Sequence, residues 1–190
     1  SLVLGVPTAF LTVRTDLPFK RGFSVLLAMP LVIPSYIGAF AFVSAFGPRG
    51  TLQGVLEPYG VETLPSIYGL WGTVLVLTLY TYPYVFLTTR AALKSMDTTL
   101  VDAARTLGHG RRGAFRRVTV PQIRPAVAAG ALLVALYALS DFGTPSIMRY
   151  NVFTSVIYSV YGDVLGGGRD LAAVLSLQLV VVTSIILAIE

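Results

Sequence analysis

Residues 102–121 read DAARTLGHGRRGAFRRVTVP, a strongly basic segment between two apolar stretches of membrane-spanning length. It contains two adjacent alanines, glycines that end helices, and a proline as its last residue. Basic side chains between two such stretches are typical of a loop that joins two membrane spans. The segment therefore predicts a structured loop that serves as a docking surface.

The composition of the whole chain indicates a membrane protein. Of its 190 residues, 55% are apolar and only 12% are charged, and the mean hydropathy is +0.76. A helix needs about 20 apolar residues to cross the hydrocarbon core. Long intervals contain no charged residue, and one further interval is interrupted only by Asp141. These intervals predict spans at residues 23–46, 66–89, 125–140 with some extension, and 171–189.

A further apolar run precedes the first basic residue. Residues 2–13 are apolar or uncharged but too few to span a bilayer, and the chain does not begin with Met. We interpret this run as a truncated first helix, and the 190 residues as a fragment of a longer polypeptide. A signal peptide is the alternative, but the charged region that opens such peptides is missing.

The distribution of basic residues predicts an orientation. Segments 14–22 and 90–124 carry three and eight Lys or Arg, whereas segments 47–65 and 142–170 carry one and two. Because cytoplasmic loops are enriched in Lys and Arg, loop 90–124 is predicted to be cytoplasmic. The net charge of +5 does not indicate a nucleic-acid partner, since the basic loop lacks interleaved aromatic side chains. Orientation and contact with lipid headgroups account for most of the basic residues.

The sequence offers no catalytic constellation. There is no cysteine, and the single histidine, His109, lies in a glycine-flanked turn. No HExxH or GxSxG motif and no pair of intramembrane acids is present, which disfavours a membrane enzyme. We predict no catalytic residue, no metal ligand and no cofactor site.

The basic loop should contain two short helices. Asp97, Thr98 and Thr99 supply capping oxygens, and Thr99 with Asp102 fits a capping box. An apolar face then recurs at helical spacing and ends at Gly108 and Gly110. It consists of Leu100, Ala103, Ala104 and Leu107.

The second helix is predicted over residues 111–119. Phe115 and Val118 lie on one side of it, and Pro121 ends it. Small alanines on the face of the first helix would let a partner backbone approach closely. The alternative is an amphipathic hairpin lying on the membrane surface.

These residues resemble the cytoplasmic loop of binding-protein-dependent ABC importer permeases. That pattern has Glu-Ala-Ala, three residues, Gly, nine residues, Ile, one residue and Leu-Pro. The matching positions here are Asp102, Ala103, Ala104, Gly108, Val118, Val120 and Pro121. The resemblance implies an all-α, MetI-like permease domain of five to six helices over residues 1–190, in which loop 90–124 couples to an ATPase subunit. The residues that it implies for ATPase docking are Leu100, Asp102, Ala103, Ala104, Leu107, Gly108, Phe115 and Pro121.

Longer stretches are similar to permeases of the ferric-iron class. They are VRTDLPFKRG at 13–22, MPLVIPSYIGAFAF at 29–42, TYPYVFLTTRAALKSMD at 81–97 and RPAVAAGALLVALYALSDFGTPSIM at 124–148. Such permeases commonly fuse two halves, and this chain resembles the first. The similarity implies ferric-iron import, with thiamine, sulfate, polyamine and phosphonate as alternative solutes.

The implied partners are an ABC ATPase, a second permease half, an extracytoplasmic solute-binding protein and the lipid bilayer of the inner membrane. Helical turns at residues 52–59 and 152–161 are expected on the outer side, facing the binding protein. An ion-coupled secondary transporter is a further alternative, but it usually needs ionisable residues near the midplane and an internal repeat. We find neither in the sequence.

A few residues inside the predicted spans are candidates for bends, helix contacts or the translocation pathway. Pro30, Pro34 and Pro83 predict kinks. Ala126 and Gly130, four residues apart, fit a close helix contact. The weak pathway candidates are Tyr36, Tyr80 and Asp141.

Overall fold

A computed structural model describes residues 1–48, 50–61, 63–97, 99–108, 110–163 and 168–188. The predictions for Thr98 and His109 lie outside these residues. Every regular element in the described ranges is helical, which confirms the predicted all-α class. The chain forms two compact units, Ser1–Val32 with Thr81–Val134, and Ile33–Tyr80 with Ala135–Glu190.

Eleven α-helices are found in the described residues, together with two 3-10 turns (Met29–Val32 and Glu57–Tyr59) and one π-helical turn (Phe115–Thr119). In chain order the helices are α1 (Leu2–Arg14), α2 (Lys20–Ala28), α3 (Ser35–Phe46), α4 (Thr51–Leu56), α5 (Leu70–Ser95), α6 (Thr99–Thr106), α7 (Arg111–Ala114), α8 (Val120–Ser140), α9 (Gly143–Ile147), α10 (Phe153–Tyr161) and α11 (Gly168–Ala188).

Three predicted spans correspond to long apolar helices. They are α5, the continuous helix Arg111–Ser140, and α11. A fourth span is counted if the two helical stretches on either side of residues 33–34 are taken together. α1 is apolar but shorter, as the sequence indicated. The short helices predicted at 52–59 and 152–161 are also present, as α4 with its following turn and as α10.

The predicted span 23–46 is broken rather than continuous. α2 passes into the 3-10 turn Met29–Val32, and α3 begins only after Pro34. Pro30 and Pro34 each remove a backbone donor, and their rings crowd the preceding turn. The two prolines therefore account for the break. Pro83, by contrast, lies inside the unbroken α5.

The prediction that Pro121 ends the second short helix is wrong. One helix runs from Arg111 to Ser140. Directly before Pro121 it widens into the π-helical turn Phe115–Thr119, and the Val120 N–H donates to the Phe115 carbonyl. A proline clashes with the α-helical bonding pattern of the preceding turn, and the π turn changes that pattern at this point. The part of the basic loop from Arg111 onward is thus a direct extension of a span.

Val85 lies where two neighbouring helices of the first unit approach α5. This valine of α5 is fully buried. A Cβ atom placed on Gly5 of α1 would lie 2.7 Å from the Val85 Cβ, and one on Gly130 of α8 would lie 2.8 Å from the Val85 Cα. Both neighbouring helices therefore approach α5 through a glycine. The predicted close contact at Gly130 is confirmed, and it joins α8 to α5.

The apolar core of the first unit continues from this contact toward the basic loop. Its buried members are Ala9, Tyr82, Phe86, Leu93 and Ile123. They come from α1, α5 and α8, so these three helices form one packed body.

The second unit has a smaller core. Ala39 of α3, Val76 of α5 and Met148 after α9 are buried together. The Gly69 N–H donates to the Met148 carbonyl at 2.7 Å, and Gly38 faces the ring of Tyr80 so closely that a Cβ there would overlap it. Most of the α11 surface, in contrast, is left uncovered. Lipid or another subunit is the usual cover for such a surface.

Candidate functional site: the docking segment

The predicted docking segment, residues 99–108, is the helix α6 with the turn that follows it. The Thr99 N–H donates to the Asp97 carboxylate at 2.9 Å, so the capping oxygen comes from Asp97, and Thr99 is the first helical residue. The Thr99 backbone bond, reinforced by the Thr99 hydroxyl, lowers the pKa of Asp97 below its ordinary value of 3.8. The predicted helix start and the capping role of Asp97 are therefore confirmed, whereas Thr99 lies inside the helix and is not the capping residue of a box with Asp102.

The end of α6 needs a glycine. Gly108 has φ of +84°, a left-handed conformation that disfavours residues with a Cβ. Its N–H donates to the Arg105 carbonyl, and the Leu107 N–H donates to the Ala103 carbonyl, both at 3.1 Å. This is the hydrogen-bonded helix ending for which glycine is the preferred residue.

The four residues of the predicted apolar face do not lie in one environment. Leu100 is 50% exposed, Leu107 is 80% exposed, and Ala103 is also exposed. Ala104, in contrast, is 7% exposed, so its methyl group packs inward. The open part of the face is Leu100, Ala103 and Leu107, with Gly108 beside it. Asp102 is exposed as well.

Phe115 packs against another part of the chain, although its side chain is still 41% exposed. Its ring meets the Phe10 ring of α1 edge to face, with 5.3 Å between centroids. Nearby, an Arg14 guanidinium nitrogen of α1 donates to the Leu93 carbonyl of α5 at 3.4 Å. Pro121 is exposed on the continuous helix. The basic loop is thus attached to α1, and α1 to α5, by named contacts that the sequence pattern did not indicate.

Asp141 lies in a hydrogen-bond network in the second unit. The Ser35 hydroxyl donates to its Oδ2 at 3.3 Å, and the Tyr137 hydroxyl donates to Ser35 Oγ at 2.8 Å. The Gly143 N–H donates to the other carboxylate oxygen at 3.1 Å. This carboxylate therefore joins the start of α3 to the end of α8 and the start of α9. The sequence did not predict this network. The one indication of it was Tyr137, which lies one helical turn before Asp141 and could reach a shared partner.

The three weak pathway candidates are not brought together as one group. Tyr36 follows Ser35 in α3 and packs against Gly143, close to the Asp141 network. Tyr80 packs against Gly38 further along α3. Within the described residues, no group of three His, Cys, Asp or Glu side chains is placed to hold a metal ion.

The chain matches the family described as binding-protein-dependent transport system inner membrane component over residues 1–189. It belongs to that family, whose members are transport permeases rather than enzymes. Its fold is of the MetI-like type. The inward-facing structure of the MetNI methionine ABC transporter superposes with a TM-score of 0.70 at 18% identity, covering 97% of this chain and 82% of that one.

Two curated relatives are similarly close in sequence. The chain is 30% identical over 186 residues to the Fe(3+)-transport system permease protein FbpB 2 of Haemophilus influenzae, covering 98% of this chain. It is 31% identical over 180 residues to a probable molybdenum ABC transporter permease protein of Haloferax volcanii, covering 95% of this chain. The chain spans 33% of the first relative's length and 64% of the second's.

Proposed function

We propose that this chain is the transmembrane subunit of an ATP-driven, binding-protein-dependent importer of the inner membrane. The docking segment, residues 99–108, is then the cytoplasmic element that receives an ABC ATPase subunit. The observation that carries this proposal is the exposure of Leu100, Ala103 and Leu107 on a short helix and the turn that ends it.

The exposed leucines support docking rather than a solvated turn. Exposed large apolar side chains in a cluster are typical of protein contacts, and Leu107 is 80% exposed. The alanine at 103 leaves room between the two leucines for an approaching backbone, as helix-in-groove recognition requires. Ala104, which packs inward, supports the helix from beneath and is not part of the proposed contact.

The attachment of the segment supports a mechanical role. The docking segment contacts the helix that follows it in the basic loop, this helix is continuous with the span Arg111–Ser140, and Phe115 packs on Phe10 of α1. A displacement of the docking segment by an ATPase subunit would therefore act on two helices at once. Packed interiors transmit such displacements because they are dense and poorly compressible.

The experiment that tests docking is retention of the ATPase subunit by the full chain in detergent. Leu107→Glu places a charge in the exposed face and should reduce retention about tenfold or more, since central apolar contacts dominate interface energies. Thr106→Glu is the matched control, because Thr106 is the residue directly before Leu107, is exposed, and is not one of the three residues of that face. Equal retention by both variants would reject the docking face.

The proposed assembly includes a second permease half and a solute-binding protein on the outer side. About five helices are few for an enclosed pathway, so two domains would pair around it. The proposed orientation follows from the distribution of basic residues. Segments 14–22 and 90–124 together carry eleven Lys and Arg, whereas segments 47–65 and 142–170 carry three. Inhibition of uptake by an ATPase-dead partner would distinguish this importer from an ion-coupled transporter.

Ferric iron is the proposed solute. The support is the likeness of four stretches of the chain to ferric-iron permeases and the similarity to an Fe(3+)-transport permease. A molybdenum relative is equally similar, so the test must compare cargoes. We expect reconstituted importer to hydrolyse ATP faster with the binding protein loaded with ferric iron than with molybdate. Faster hydrolysis with molybdate would reverse the assignment.

A further inference from the structure

A cavity in the first unit lies between the end of α1 and the basic loop. Its volume is about 560 Å³, within the range of about 300–1,000 Å³ that is usual for ligand pockets. Four arginines line it, one from α1, one from α6 and two from α7. They are Arg14, Arg105, Arg111 and Arg112.

No acidic residue in the described part of the chain compensates the positive charge of this cavity. No acidic residue lines it, and none of its four arginines forms an ion pair with any residue that the structure describes. Arg14 makes one hydrogen bond, to the Leu93 carbonyl, which leaves most of its five N–H donors available. Like charges that line one cavity repel one another, so an anion bound among them would lower the free energy of the loop.

The shape of the arginine side chain indicates the kind of anion. A guanidinium group offers parallel N–H donors that match two oxygens of a phosphate. Two hydroxyl groups, from Thr15 and Thr119, also line the cavity. The remaining walls include the rings of Phe10 and Phe115, and apolar walls strengthen the field of the arginines.

The apolar walls also favour a particular source of the phosphate. A lipid headgroup carries a glycerol and acyl portion that apolar side chains can cover, and basic pockets beside membrane helices bind anionic headgroups. We infer that this cavity binds a phosphate group, and that the phosphodiester of an anionic phospholipid supplies it. The bound lipid would hold α6 and α7 against α1. The proposed cytoplasmic orientation of loop 90–124 places this lipid in the cytoplasmic leaflet. Lipid binding itself does not depend on that orientation.

Lipid binding is tested by native mass spectrometry of the full chain released from bilayers that mix phosphatidylglycerol with phosphatidylcholine. We expect bound phosphatidylglycerol to be retained preferentially, and inorganic phosphate to compete with it. The variant Arg111→Gln with Arg112→Gln should weaken phosphatidylglycerol binding about tenfold or more, because charge-assisted bonds are lost.

The matched control is Arg116→Gln with Arg124→Gln. It removes the same charge from the same basic segment, at exposed positions that do not line the cavity. The control should bind phosphatidylglycerol like the unmodified chain, and circular dichroism should show both variants folded. Equal weakening in both variants would mean that general charge attracts the lipid, and would overturn the inference.

Two further results separate the possible occupants. If inorganic phosphate raises the unfolding temperature through Arg111 and Arg112 while phosphatidylglycerol does not bind, the phosphate site stands and a free phosphate compound is its source. If neither phosphate nor phosphatidylglycerol binds, the inference is overturned. If the cavity variant instead loses the ATPase subunit with no change in phosphate or lipid binding, the arginines belong to the protein contact and the inference fails. The ATPase-docking test and the lipid-binding test are independent. Loss of the ATPase subunit in Leu107→Glu would leave the measurements of phosphate and phosphatidylglycerol binding unchanged.

Discussion

A methyl group added at Gly130 should separate two membrane helices. The new Cβ of Gly130→Ala would lie 2.8 Å from the Val85 Cα, about 0.6 Å short of ordinary van der Waals contact at 3.4 Å. It would also overlap the Thr88 hydroxyl, which can rotate only by giving up its bonds to the Tyr84 and Val85 carbonyls. The Val85 Cα is backbone, so α8 must move away from α5.

The energetic cost follows from overpacking. Extra methyl groups in a packed interior cost about 1–3 kcal/mol. Replacing glycine by alanine within a helix also gains about 1 kcal/mol of helix propensity, which hides part of that cost. A control with the same gain and no clash is therefore needed.

Gly22→Ala is that control. Gly22 lies inside α2, and a Cβ there would meet nothing within 4 Å. Both variants gain the same propensity, so the difference between their free energies of unfolding isolates the clash and should be about 1–3 kcal/mol. The assay is reversible unfolding in mixed micelles with increasing denaturing detergent. Equal shifts for the two variants would refute the close packing of α8 on α5.

Three other perturbations have defined outcomes. Asp141→Ala removes the acceptor of the Ser35 hydroxyl and should destabilise the chain by about 1–3 kcal/mol in the same unfolding assay; an unchanged stability would contradict a structural role for this carboxylate. Gly108→Val must place a branched side chain at φ of +84°, with a strain of about 1–2 kcal/mol, whereas Gly108→Asn should cost less; equal unfolding of the two would argue against the left-handed turn. The pKa of Asp97 is lowered in the folded chain, so its contribution to the start of α6 is complete above the ordinary pKa of 3.8 and is lost as the pH falls through the lowered value. Hydrogen exchange at Thr99 should accelerate in that acidic range relative to Asp97→Asn at each pH, and identical pH profiles would exclude this linkage.

The membrane class and the positions of the spans could be predicted from the sequence because hydropathy is a local property. A stretch of about 20 residues without charge has few alternatives to a membrane helix, and α5 and α11 lie where such stretches predicted them. The start and stop of α6 were similarly local, since Asp97 caps from two residues away and Gly108 adopts its turn by itself. The break at Pro30 and Pro34 followed from the missing backbone donors.

The continuity of the basic loop with α8 was not predicted, because a proline normally indicates a helix boundary. Whether a helix ends at Pro121 depends on the turn before it, and the π-helical turn there carries no recognisable sequence signal. The docking face was only partly predictable for a different reason. Helical periodicity shows that Leu100 and Ala104 lie on one side of α6, but not which of them the rest of the chain covers.

The sequence by itself determined that this protein is a helical membrane protein with a basic loop between two spans, because those features depend on hydropathy, charge and spacing along the chain, while the permease class came from the resemblance of that loop to importer permeases. Only the tertiary structure decided which groups meet. It packs Phe115 on Phe10, surrounds Asp141 with Ser35 and Gly143, and lines one cavity with arginines from three helices. These contacts join residues far apart in the chain, and their geometry is set by helix packing that no local pattern encodes.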